Sequence, residues 1–126
     1  MSEGVISLGH GAYATVKLIF LKKTNDKFAM KVYDKFKLVD PQRKKSVQRE
    51  IKILAKLKHD NIVKLREAIE TTRHVHIITD FISGPTLHQY LRSKPGRRLT
   101  ELEAKRLFKQ IVEALAYCHS KHVAHR

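Results

Sequence analysis

The sequence predicts an α+β fold: five short antiparallel strands, one helix set against them, and further helices toward the C-terminal end. Three observations carry that expectation. Short runs rich in β-branched and apolar residues, the clearest of them alternating, are separated by turn residues, as in half-buried strands. The run that begins at Asp40 switches to the three-to-four-residue spacing of an amphipathic helix. A second long helical pattern, opened by Thr100, follows two breaks rich in proline and glycine.

Residues 5–8 and 15–21 read as strands flanking a glycine turn. Residues 22–26 reverse the chain, with Asn25-Asp26 supplying side chains that bond their own backbone in tight turns. Residues 27–33 form a third strand. Its alternation places Phe28, Met30 and Val32 on one face and Ala29, Lys31 and Tyr33 on the other. Asp40-Pro41 starts a helix, with Asp40 as cap and Pro41, which has no N–H to lose, at the first helical position. The helix runs to about Lys58. Its apolar stripe is Val47, Ile51, Leu54 and Leu57, and His59-Asp60-Asn61 ends it.

Residues 62–69 and 74–81 are two more strands, joined through Thr71-Thr72-Arg73. Ser83-Gly84-Pro85 breaks the chain and divides it into residues 1–82 and 83–126. A short helix over residues 87–92 and a loop at Pro95-Gly96 follow. Thr100-x-x-Glu103 is a capping box that opens the last helix. Ala104, Leu107, Phe108, Ile111, Leu115 and Cys118 share one face of it. The stop at His125-Arg126, straight after apolar Val123-Ala124, reads as a truncation.

Composition narrows the partners. Of 126 residues, 42% are hydrophobic, which suits one domain or less with a core of its own. Lys and Arg number 26 against 12 Asp and Glu, a net charge of +14. Such an excess favours acidic partners: nucleotides, acidic protein surfaces, nucleic acid or anionic lipid. It concentrates over residues 35–58, where nine basic residues face only Asp40 and Glu50. Cys118 is the sole cysteine, so no internal disulfide can form. No apolar run approaches the roughly 18 residues of a membrane helix, and no basic-then-apolar leader opens the chain. A cytoplasmic or nuclear protein without membrane contact is the expectation.

The chemistry concentrates at Gly9-x-Gly11-x-x-Ala14-x-Val16, followed twenty positions after Gly11 by Lys31 in Ala29-Met30-Lys31. Glycines let backbone approach a polyphosphate closely, because no Cβ intervenes and positive φ is accessible. A lysine on the next strand reaches the same phosphates as a point charge. Glu50 is the third member. It lies with Val47, Ile51, Leu54 and Leu57 on the apolar side of an otherwise basic helix. A carboxylate facing a core needs a partner. Lys31 is one candidate; a solvated edge position, or pairing with Arg49 or Lys52, is the other. The glycine turn beside Lys31 tips the balance toward Lys31.

Taken in order, Leu8-Gly-His-Gly-Ala-Tyr-Ala-Thr-Val16, Ala29-Met-Lys31, the helix with Glu50, His59-Asp-Asn-Ile-Val-Lys-Leu65, Thr79-Asp-Phe-Ile-Ser-Gly84 and His125-Arg126 resemble the eukaryotic protein kinase pattern. The wording is most similar to serine/threonine kinases of the calmodulin-dependent and AMP-activated type. The resemblance implies a kinase small lobe over residues 1–82, followed over residues 83–126 by the hinge exit and first helices of an incomplete large lobe.

It also implies roles. Leu8, Gly9, Gly11, Ala12 and Tyr13 would line or cover the ATP phosphates and adenine, with Tyr13 at the loop tip. Val16 and Ala29 would sandwich the adenine. Lys31 would hold the α- and β-phosphates and Glu50 would orient it. Thr79 would stand behind the adenine, and backbone groups of Asp80 and Ile82 would bond its edge. Leu54, Leu65 and His125 would belong to a stacked regulatory column. His125 and Arg126 would begin the catalytic loop.

The chain departs from the pattern at Ala14, in place of the third loop glycine, and at Gly84-Pro85. A third departure is Thr86, where an acid commonly meets the ribose. The catalytic aspartate and the magnesium-binding motif are not among these residues. The resemblance therefore implies ATP and a protein Ser/Thr substrate for the longer parent, with magnesium held outside this stretch, and no transfer by residues 1–126 alone.

Other readings are a non-catalytic kinase-like interaction module, a basic nucleic-acid-binding domain, and a metal site from Cys118, His119, His122 and His125. Residues 35–58 lack the interleaved aromatics of nucleic-acid binders, and the histidine spacing leaves no shared helix face past the helix end, so no metal site is expected. Self-association through the exposed apolar face of the last helix is expected.

Overall fold

A computed structural model describes residues 6–11 and 13–126. Five strands form one antiparallel sheet in the order β1-β2-β3-β5-β4. They are β1 (Ile6–His10), β2 (Ala14–Phe20), β3 (Lys27–Asp34), β4 (Leu65–Glu70) and β5 (His74–Asp80). Val5 and Ala12, which the sequence assigns to the first strand and the glycine turn, lie outside the described residues.

Between β3 and β4 runs α1 (Pro41–Lys56). Asp40 caps it as expected, its carboxylate accepting from Gln42 N–H at 2.9 Å. The helix stops two residues earlier than its stripe suggests. Leu57 turns to extended backbone (φ −89°, ψ 109°) and still buries its side chain to 6% exposure. The fourth strand also starts later than expected, at Leu65. Residues 59–61 are spent on a turn, in which Ile62 N–H bonds His59 O at 3.1 Å and Asn61 N–H bonds His59 Nδ1 at 3.1 Å.

Register decides which side chains share a face, because directly opposed residues of antiparallel strands project to the same side. Lys31 opposes Val16 on β2 and Ile77 on β5; Ala29 opposes Leu18 and Thr79; Tyr33 opposes Ala14 and Val75. Tyr33, Val75 and Ile77 join Leu38 and Val47 in one buried cluster. Ala14, Ile51, Leu54 and Leu65 pack against it. The α1 stripe thus covers the Tyr33 end of this face.

The chain divides into two compact units, one of residues 1–58 and 63–82, the other of residues 59–62 and 83–126. The second contains α2 (Leu87–Ser93), a single 3₁₀ turn at Pro95–Arg97 and α3 (Glu101–Ser120). The His59 and Tyr117 rings lie 5.1 Å apart and tie the short segment to α3. Capping differs from expectation. At Thr100 only half of the box forms: Thr100 Oγ1 accepts from Glu103 N–H at 3.2 Å, while the Glu103 carboxylate is drawn to Lys94 Nζ at 3.6 Å. The complete box is at α2, where Thr86 Oγ1 accepts from Gln89 N–H and Gln89 Oε1 accepts from Thr86 N–H.

Ile77 is 1% exposed at the centre of the cluster. Ile77→Ala should lower the unfolding free energy by about 2–5 kcal/mol in denaturant titration. A loss under about 1 kcal/mol would show that this cluster is not the core.

Candidate functional site

Glu50 projects from α1 one turn beyond Val47, toward the sheet face that carries Lys31 and Tyr33. Lys31 Nζ donates to Glu50 Oε1 at 3.1 Å and Tyr33 Oη donates to Glu50 Oε2 at 2.7 Å. Both carboxylate oxygens are therefore held, each by a different residue of β3. Lys31 Nζ also lies 5.0 Å from the Tyr33 ring centroid, within cation–π range. Of the alternatives open in the sequence, the structure takes Lys31; Arg49 and Lys52 do not pair with Glu50 among the described residues.

Tyr33 has no counterpart in the sequence reading. The one available signal was its place two residues after Lys31 on the inward face of β3, with a phenol that needs a partner when buried.

Exposure decides what the pair is for. The Lys31 and Glu50 side chains are 37% and 32% exposed. A pair this wet contributes about 0–1 kcal/mol to stability. Its consequence is geometric: the ammonium is held in place while keeping an open side. Burial works against the Lys31 ammonium, but its interactions with Tyr33 and Glu50 outweigh that, and Lys31 stays above its ordinary 10.5. Lys31 is charged at any physiological pH. Burial lifts the Tyr33 phenol above its ordinary 10.0, opposed by Lys31 and assisted by Glu50.

The glycine turn leads into the start of β2, the same end at which Ala14 opposes Tyr33 and Val16 opposes Lys31. Gly9 opposes Val16 after a register shift in β1, and Gly11 N–H bonds Ala14 O at 2.8 Å to close the turn. Neither glycine adopts positive φ, and a Cβ on Gly9 would meet nothing within 4 Å. The positive φ accessible to glycine is therefore not used at either position. Gly9 borders open space beside the turn, while a Cβ on Gly11 would lie in ordinary contact with Ala14 O at 3.5 Å. Tyr13 follows Ala12, which is not described, and its ring is capped by the Arg43 guanidinium of α1, 3.9 Å from the ring centroid.

The remaining expected residues separate into those the sheet aligns and those it does not. Val16, Ala29, Lys31 and Thr79 occupy one continuous face by register. Leu8 is 44% and Ile82 66% exposed. The Asp80 carboxylate is clamped by Arg66 of β4, with Nη2 at 3.2 Å from Oδ2, and Asp80 N–H bonds Lys64 O at 3.1 Å. The Thr86 hydroxyl is committed to the α2 cap. Leu54 and Leu65 pack against the same core; His125 and Arg126 lie in the other unit. Among the described residues, no group of three or more His, Cys, Asp or Glu is placed to hold a metal ion, and no helix is long and apolar enough to cross a membrane.

A five-stranded antiparallel sheet, a single helix across it and a strand lysine clamped by that helix's glutamate define a kinase-type small lobe. The protein kinase domain family model matches residues 3–126, and the chain belongs to that family. It is 37% identical over 122 residues to CBL-interacting protein kinase 25 of Oryza sativa subsp. japonica, a match that covers 94% of this chain and 24% of the relative. It is 40% identical over 121 residues to the probable serine/threonine-protein kinase MARK-A of Dictyostelium discoideum, covering 95% and 11%. The fold is similar to that of Rad53 1-466 crystallised with AMP-PNP, at TM-score 0.78 and 31% identity, over 98% of this chain and 32% of that one. The chain thus spans about a quarter or less of the length of these curated relatives.

Lys31 and Tyr33 both hold their protons more tightly folded than unfolded. Their contribution to stability is therefore complete below pH 10.0, the lower of the two ordinary values, and is lost as pH rises through the folded values. The unfolding free energy should fall more steeply with alkaline pH in the wild type than in a Lys31→Met/Tyr33→Phe variant. Parallel slopes would contradict the arrangement.

Proposed function

We propose that this chain is the ATP-binding portion of a protein serine/threonine kinase, with residues 1–82 as the small lobe and residues 83–126 as the start of the large one. The observation that carries the reading is the Lys31–Glu50 contact at 3.1 Å, with the ammonium still partly open. An ammonium fixed on one side by a carboxylate and free on the other suits a polyphosphate.

The residues fit that ligand in a second respect, since a Cβ on Gly9 would find nothing within 4 Å. In this reading Lys31 holds the α- and β-phosphates, and Glu50, fixed in turn by Tyr33, keeps Lys31 from swinging away. Gly9, Gly11, Ala12 and Tyr13 cover the phosphates. Leu8, Val16 and Ala29 enclose the adenine, Thr79 stands behind it, and backbone groups of Asp80 and Ile82 bond its edge. His125 and Arg126 open the catalytic loop. ATP supplies the transferable phosphoryl group, and magnesium is assigned to residues outside these 126. The lone Cys118 supports a cytoplasmic or nuclear location.

A thermal-shift titration with magnesium-ATP tests the reading directly. The chain should gain stability as nucleotide rises. Lys31→Met should abolish the shift, and Tyr33→Phe should weaken the apparent affinity by about threefold to tenfold, the net contribution of one ordinary hydrogen bond of about 1 kcal/mol. No shift for the wild type, or an undiminished one for Lys31→Met, would remove the proposal. No phosphoryl transfer is expected from residues 1–126 alone.

Leu102, Phe108, Ile111 and Val112 of α3 are 59%, 67%, 43% and 45% exposed. An apolar strip of this kind supports self-association of the 126-residue polypeptide. Sedimentation should show oligomers that Phe108→Glu disperses; a monomeric wild type would refute this.

A further inference from the structure

The inward stripe of α1 carries a second charged residue besides Glu50. Arg43, Val47, Glu50 and Leu54 recur at offsets of four, three and four, so they stack along one side of the helix. Val47 and Leu54 pack in the core, and Glu50 bonds Lys31 and Tyr33 of β3. Arg43 begins the same stripe in the first turn, where its N–H bonds Asp40 O at 3.0 Å. Its side chain has no acid to meet: among the described residues, no carboxylate lies within 4 Å of it. The guanidinium instead lies 3.9 Å from the centroid of the Tyr13 ring.

An arginine resting on an exposed ring is by default only a surface contact. Here two features depart from that default. Arg43 stands apart from the other cations of its helix, since the same periodicity puts Lys45, Arg49 and Lys52 on the opposite side. The ring it meets also has a particular place. Tyr13 lies within the glycine turn that the Gly11 N–H to Ala14 O bond closes at 2.8 Å. Ala14, the next residue, opposes Tyr33, whose hydroxyl bonds Glu50. The turn and the strand it enters are thus tied to α1 at two heights, about 10 Å apart along the helix axis.

We propose that Arg43 is a positioning residue that holds the glycine turn closed by stacking on Tyr13. The role rests on the nucleotide reading, in which that turn covers the phosphates. Arg43 touches no phosphate in this assignment and acts through the Tyr13 ring. One helix then sets both parts of the phosphate site, Lys31 through Glu50 and the turn through Arg43. A displacement of α1 that separates Glu50 from Lys31 would also draw Arg43 off Tyr13, so the turn loosens when the lysine is released.

Two measurements on the whole chain test this. The first is amide hydrogen exchange by NMR without nucleotide. Arg43→Leu should speed exchange of the Gly11 N–H by about twofold to fivefold, the equivalent of one exposed cation–π contact. Exchange at Ile77, in the core, should stay as it was and serves as the folding control. The second is calorimetric titration with magnesium-ATP. Arg43→Leu and Tyr13→Leu should each weaken binding by about twofold to fivefold, and the double variant no further than either alone. Arg43→Lys, which returns a cation to the ring, should bind more tightly than Arg43→Leu. Unchanged Gly11 exchange in Arg43→Leu overturns the proposal whatever the nucleotide result. Unchanged ATP affinity in Arg43→Leu, additive losses in the double variant, or Arg43→Lys no better than Arg43→Leu also overturns it, and each leaves the nucleotide reading standing. A wild type that binds no ATP removes the nucleotide reading and the positioning role together.

Discussion

The position of Glu50 constrains everything around it. A carboxylate on the packing side of a helix is tolerated only when its oxygens are hydrogen-bonded. Lys31 and Tyr33 meet that demand, one oxygen each, at 3.1 and 2.7 Å. Because both partners stand on β3, two residues apart, the two bonds fix the rotation of α1 and its height above the strand together. Val47, Ile51 and Leu54 then fall against Tyr33, Val75 and Ile77 without further adjustment. The apolar packing supplies the stability, while the half-wet ion pair contributes little and sets the alignment.

Sheet register extends that alignment across the lobe. Lys31 opposes Val16 on one side and Ile77 on the other, and Ala29 opposes Thr79. A slip of one residue on β3 would turn Lys31 to the other face and leave Glu50 with neither partner. Function and folding therefore constrain the same register. The Arg43–Tyr13 contact at 3.9 Å adds a link from the glycine turn back to α1, so that one helix touches the turn, the lysine strand and the core.

The charge of the chain divides by the same helix. Its inner face spends one acid on two β3 residues. Its outer face carries Lys44, Lys45, Arg49 and Lys52, none of which has an acidic partner within 4 Å among the described residues.

Much of this was legible in the residues themselves. Alternation in β3, the Asp40-Pro41 start and the stripe of α1 are local signals, each imposed by side-chain direction or by a missing N–H. The start of β4 was not, because the turn at residues 59–62 is stabilised by His59, which packs on Tyr117 from far along the chain. The Thr100 box was half misread for a similar reason: Lys94 competes for Glu103 across a loop. The sequence by itself determined the set of elements, the lysine, the glutamate and the side of the helix on which that glutamate lies. Only the tertiary structure decided which cation takes Glu50, that Tyr33 holds its second oxygen, and that Gly9 and Gly11 need no special φ. Those outcomes depend on distances between segments that pattern and spacing do not encode.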